Sequence, residues 1–140
     1  MDNKPEYWLH RLVMQMDRVA DKLLLESVGM SYKRCQVLAV LQHCGTITQH
    51  ELAVKLGHSD PAVSKMLIEL SKDELITVKI DPKHARKRLV TLTAKGDEIT
   101  TKGTMMLNAH FSGVIKKAEV DAVQYAELTK KLFDALVTMS

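Results

Sequence analysis

Five cations fall within ten residues of this 140-residue chain. The stretch 79–88, "KIDPKHARKR", carries Lys79, Lys83, Arg86, Lys87 and Arg88 against one acid, Asp81. The whole chain has a formal net charge of +3; with +4 concentrated here, the remaining residues net −1. Arginine forks and lysine point charges at this density are phosphate-holding chemistry. The competing reading is a solvated surface hairpin, the ordinary fate of a charge run. Catalytic patterns are missing: there is no Gly-x-Ser-x-Gly, no Gly-rich phosphate loop and no His-Glu-x-x-His. The six histidines, at 10, 43, 50, 58, 84 and 110, include no pair at i, i+3 or i, i+4, so none would share a helix face as metal ligands. We therefore expect no enzyme, no cofactor and no metal site. The two cysteines, Cys35 and Cys44, fall on one expected helix. At ~13.5 Å along its axis, they exceed the ~7 Å Cα limit for a disulfide within one chain. Cys35 lies beside Lys33 and Arg34 in the first turns, where a thiolate is favoured; otherwise it is a small core hydrophobe.

These residues need a frame, and the stretch before the cations supplies one. In "TQHELAVKLGHSDPAVSKMLIEL" (48–70), Thr48 and Glu51 form a capping box, with Ile47 and Leu52 set to staple it. Gly57 provides the left-handed stop. Ser59 caps the next helix, with Asp60 and Pro61 in its first turn. Residues 48–57 and 59–73 thus read as two helices joined by a tight turn, the spacing of a helix-turn-helix. On the second, Val63, Met66, Leu67 and Leu70 form a core stripe. Lys65 lies ~200° round from Val63 and faces outward, with Ala62, Ser64, Ile68 and Glu69 also off the stripe. A slim leading end (Ser59, Asp60, Pro61, Ala62, Ser64) plus one cation, Lys65, suits a helix that approaches base edges in a major groove. The apolar alternations 75–80 and 88–93 then read as a two-stranded hairpin whose turn, "DPKHAR", carries the charge.

The flanks are helical. Leu9, Leu12, Val13, Met16, Val19, Ala20 and Leu23 share a stripe ended by Gly29. Ser31 caps a helix with Val37, Leu38, Leu41 and Cys44, ended by Gly45. Thr93 caps a long helix to about Lys117, with Leu107, Phe111, Val114 and Ile115 on a stripe. A last helix, about 121–138, carries Tyr125, Leu128, Leu132, Phe133 and Leu136. A content of 46% hydrophobic and 26% charged residues is globular. No apolar run reaches the ~20 residues of a membrane span, and "MDNKPEYWLH" is no signal peptide, so a cytoplasmic protein is expected. The fold class is mainly α (α+β), a winged helix-turn-helix with long N- and C-terminal helices and a two-stranded β-wing. One domain covers 1–140: about 31–96 is the winged helix, and about 5–28 and 97–140 are the flanking helices.

The ordered set of motifs over 47–96 resembles the MarR family of bacterial transcriptional regulators. It comprises "LA" at 52–53, "VSK" at 63–65, "LIEL" leading into the first strand, Asp81-Pro82 with Arg86, and Leu92-Thr93 with Gly96. The resemblance implies a homodimer, joined by its terminal helices, that binds a pseudo-palindromic operator in duplex DNA, commonly as a repressor. It assigns the helix from Ser59 to the major groove and the wing, with Lys83, His84, Arg86, Lys87 and Arg88, to the backbone and minor groove. It also implies release by a small aromatic or phenolic effector, for which Met14, Cys35, Met105 and His110 are the candidate wall. Some relatives sense zinc, to which His43 and His110 would contribute, or oxidants. Three positions depart from the family pattern: Glu74 replaces the glycine that ends the recognition helix, His84 replaces the acid that braces the wing arginine, and Ala85 replaces a second wing arginine. The alternative function is a winged helix that binds a protein partner, for which a +4 wing has no use.

Overall fold

The computed structural model describes residues 3–140. The chain divides into two compact units, one ending at Met105 and one spanning Met106–Ser140. The first contains α1 (Pro5–Val28), α2 (Tyr32–Cys44), β1 (Ile47–Thr48), α3 (Gln49–Leu56), α4 (Asp60–Lys72), β2 (Ile76–Asp81), β3 (His84–Leu92) and the start of α5 (Ala94–Ala118). The second holds the rest of α5 and α6 (Ala122–Met139).

Local chemistry sets the element ends. Thr48 accepts from the Glu51 N–H while the Glu51 carboxylate accepts from the Thr48 N–H, a complete capping box on α3. Ser59 accepts from the Ala62 N–H at the start of α4, where Pro61 occupies the first turn. Gly57, at φ +67°, ends α3 in a Schellman motif: His58 N–H donates to the Ala53 carbonyl and Gly57 N–H to that of Val54. The same motif ends α4, with Leu75 N–H on the Leu70 carbonyl and Glu74 N–H on that of Ser71. There the left-handed residue is Glu74, at φ +61°. Where the resemblance implies glycine, this chain keeps the glycine geometry without the glycine.

The sheet is antiparallel in the order β1-β3-β2. The wing is the expected two-stranded hairpin, and β1 adds a short third strand through Ile47↔Val90 and Thr48↔Leu89. The turn is tighter than the sequence suggests: only Pro82 and Lys83 lie outside the strands, and β3 begins at His84. Asp81 closes it by accepting from the Lys83 N–H at 2.9 Å, an Asx-turn. Polar residues 84–87 carry no apolar alternation, so this first part of β3 is invisible in the sequence, whereas the part from Arg88 is the expected strand. The pairing of the first part is broken. Asp81 pairs with His84 and Ile80 with Arg88, which leaves Ala85, Arg86 and Lys87 bulged without Cα partners on β2.

The core of this unit is built from Val37, Leu38 and Leu41 of α2, Leu52 and Ala53 of α3, Val63, Leu67 and Leu70 of α4, and Leu75, Ile76 and Val90 around the sheet. The expected stripe of α4 is thus buried, with Met66 half-buried beside it. Gly96 explains the closing signature of the wing. A Cβ there would lie 2.1 Å from the Leu75 carbonyl oxygen, the same oxygen that accepts the Thr93 N–H at 3.0 Å. The first turn of α5 is therefore seated directly on the loop that follows α4.

The apolar stripes of the terminal helices stay open. On α1, Ala20 and Leu24 are buried, while Leu9, Leu12, Val13 and Met16 are exposed. In the second unit no residue of α6 is buried; Leu132 is 67% exposed and Phe133 64%. Phe111 and Tyr125 pack ring to ring there, with centroids 6.2 Å apart. Among the described residues, no helix is long and apolar enough to cross a membrane.

Candidate nucleic-acid interface

Two chain segments meet beside the wing. The start of α3 and the first residue of α4 face the basic part of β3 across a cleft of about 360 Å³, lined by Thr48, Gln49, His50, Glu51, Asp60, Arg86, Lys87 and Arg88. Four of the expected site residues, Asp60, Arg86, Lys87 and Arg88, share this cleft. Ser59, Pro61, Ala62 and Lys65 are exposed along the leading half of α4, and Ser64 is half-buried. Lys83 and His84 are exposed at and just after the wing turn. The bulge carries Arg86 and Lys87 off the hairpin ladder, so the cations are aimed by an irregularity and not by the loop expected from the sequence.

Thr48, Gln49 and His50 do not stand out in the sequence as site residues. The capping box marks a helix start there; that the start faces the wing is a consequence of the β1–β3 pairing, which the sequence does not announce. His50 Nδ1 lies 3.4 Å from Asp60 Oδ1, linking the first turns of α3 and α4. The acids of the cleft, Glu51 and Asp60, are both engaged, Glu51 in the capping box and Asp60 with His50. The three cations opposite them have no such partners among the described residues. An open cleft with engaged acids and unpaired cations presents net positive charge to whatever approaches it.

Of the two readings of Cys35, the structure favours the small hydrophobe over the thiolate. Burial, and then the Asp21 carboxylate, push the Cys35 thiol up to about 11. The neighbouring cation does not help it, because Arg34 turns to α4, where it pairs with Glu69 and Asp73. Asp21 itself accepts from the Tyr32 N–H at 2.7 Å, which fixes it at the start of α2. Both cysteines are free, half-buried and packed against the core. Of the other residues suggested for an effector wall, Met14 and Met105 are exposed on α1 and α5, and His110 is exposed further along α5. None of the four lines the cleft by the wing. Among the described residues no group of three or more His, Cys, Asp or Glu is placed to hold a metal ion.

Comparison with known proteins agrees with the fold. The model of the MarR family matches residues 28–87, from the end of α1 to the wing bulge. No curated protein matches the chain in sequence. Among solved structures the chain is similar to MepR, a transcription regulator of the Staphylococcus aureus multidrug efflux pump MepA, at 19% identity over 98% of this chain and 99% of that one, with a TM-score of 0.72. It is similar to the S. aureus MepR–DNA complex at 20% identity over 96% and 98%, with a TM-score of 0.81. It is likewise similar to wild-type MarR from E. coli in its apo form, at 22% identity over 95% and 97%, with a TM-score of 0.77. The fold is therefore the mainly α winged helix expected from the motifs.

Proposed function

We propose that this chain, a MarR-family winged helix over residues 28–87, is a transcription regulator that binds a pseudo-palindromic site in duplex DNA as a homodimer. In each subunit the leading half of α4, with Ser59, Asp60, Pro61, Ala62, Ser64 and Lys65, enters the major groove. The wing follows the backbone with Lys83, His84, Lys87 and Arg88 and directs Arg86 to the adjacent minor groove. The observation that carries this reading is the cleft in which the first residue of α4 and the unpaired cations of β3 lie side by side. A helix that reads bases must be held in register by phosphate contacts next to it. The same fold occurs in the S. aureus MepR–DNA complex, which supports the same reading.

Dimerisation is supported by the exposed apolar stripes of α1 and α6, which are too extensive for a solvated surface. The resemblance adds a small aromatic or phenolic effector that releases the DNA, with repression as the outcome. Retardation of genomic fragments together with light scattering tests the whole reading. A dimer at micromolar concentration that shifts a subset of fragments, with affinity falling steeply as salt rises, is expected. A monomer that shifts no fragment at low salt would rule it out.

A further inference from the structure

The far end of α4 is gripped by one guanidinium. Arg34, in the first turn of α2, donates from Nη2 to Glu69 Oε2, and its Nη1 lies 3.9 Å from Asp73 Oδ2. Glu69 and Asp73 are one turn apart, so a planar fork that meets both resists rotation of the helix as well as sliding. Local preference does not explain Arg34. A cation in a first turn faces the positive end of the helix dipole, and no acid shares that turn of α2. Folding stability explains it only in part: the Arg34 and Glu69 side chains keep 32% and 42% of their surface exposed, and ion pairs that reach solvent contribute modestly.

The angular position of the two carboxylates is informative. Measured from Lys65, Glu69 lies ~40° round the helix and Asp73 ~80°, with Ala62 at ~60° between them. Arg34 thus grips, at the far end, the same sector that Ala62 and Lys65 present at the leading end. The main chain beyond Asp73 is fixed separately, by Lys95 Nζ on the Asp73 carbonyl at 2.9 Å and Thr93 Oγ1 on the Glu74 carbonyl at 2.8 Å. The buried stripe of Val63, Leu67 and Leu70 sets the coarse rotation of the helix, and the side-chain grip trims it.

We propose that Arg34 is a positioning residue for sequence reading: through Glu69 and Asp73 it trims the rotation of α4, and so the aim of Ala62, Ser64 and Lys65, without touching DNA. The inference rests on the reading of this face as a DNA interface. Flexible cations follow a phosphate through a small rotation of the helix, whereas contacts to base edges are directional and are lost. Releasing the grip should therefore cost specific binding and spare non-specific binding.

The test compares two duplexes by fluorescence anisotropy, one recovered by selection from a random library with the parent protein and one of unrelated sequence. Arg34→Gln should weaken binding to the selected duplex about five- to tenfold and leave the unrelated duplex within about twofold. Arg34→Lys, a single point charge, should fall between it and the parent. The swap of Arg34→Glu with Glu69→Arg should recover most of the loss. Glu69→Gln breaks the same pair from the other side without removing a cation and should reproduce the selective loss, which keeps the test open if Arg34→Gln folds poorly. An equal loss on both duplexes would make Arg34 a phosphate contact or a folding residue and overturn the proposal. A parent that binds while the Arg34 and Glu69 variants discriminate as well as it does overturns this proposal alone; a parent that binds no duplex overturns the DNA reading and this proposal with it.

Discussion

Replacing Glu74 with glycine should stabilise the protein. At φ +61° Glu74 sits in the left-handed region, where a residue with a Cβ loses ~1–2 kcal/mol relative to its preferred conformations. It cannot relax, because the Schellman bonds that finish α4 hold its N–H and that of Leu75, and Thr93 Oγ1 holds its carbonyl. Its side chain is exposed, and among the described residues its carboxylate has no hydrogen-bond or ion-pair partner. Glycine removes the steric cost but adds ~0.4–1 kcal/mol of freedom to the unfolded chain. The net gain is ~0.5–1 kcal/mol, which for a domain of this size raises Tm by about 2–3 °C. Calorimetry at fixed protein concentration reads it, since the proposed dimer would make Tm concentration-dependent. Glu74→Ala is the control: it keeps the Cβ and should gain nothing. An unchanged or lower Tm for Glu74→Gly, or an equal gain for the alanine variant, would refute the argument from backbone geometry.

The opposite change at Gly96 should be costly. Gly96→Ala drives a methyl against the Leu75 carbonyl oxygen, and displacing backbone should lower stability by ~1–3 kcal/mol in a denaturant titration; full stability would mean that α5 does not seat there. The Cys35 thiol, raised from 9.0 to about 11, should alkylate at pH 8 about 100-fold more slowly than in the urea-unfolded chain. The sign follows for stability: the unfolded chain ionises first, so the contribution of this thiol is intact below about pH 9 and is lost as pH rises towards 11. In the wing, Arg86→Ala should cost ~1–3 kcal/mol and change the preference for A·T-rich flanks, whereas Lys87→Ala should weaken all duplexes alike and lower the salt slope by about one. Identical effects of the two substitutions would make Arg86 another phosphate contact.

The parts of this fold that sequence discloses are those fixed within a few residues. Thr48 with Glu51, Ser59 with Pro61, and Gly57 each satisfy a helix end by local bonding, so the two short helices are legible to within a residue. The buried stripe of α4 follows from period alone. What depends on pairing between distant segments is not legible. The first part of β3, from His84, is polar, and its bulge arises from a register shift against β2. The place of Thr48, Gln49 and His50 in the cleft depends on β1 lying against β3. Cys35 illustrates the same limit for electrostatics. Its sequence neighbours are cations, but its spatial neighbour is Asp21, and Arg34 is turned away to Glu69 and Asp73. Glu74 is intermediate: the family pattern marks the position, and only the backbone shows that the glycine conformation persists without glycine.

Hydroxyl-radical footprinting on a duplex selected from a random library tests the central claim most directly, because it reports both the groove geometry and the symmetry of the complex. Two equivalent protected regions with centres about one helical turn, ~10 bp, apart are predicted, each flanked by minor-groove protection that disappears in Arg86→Ala. A single unpaired footprint, protection indifferent to Arg86, or no protection at low salt would contradict a dimer that reads DNA with α4 and the wing.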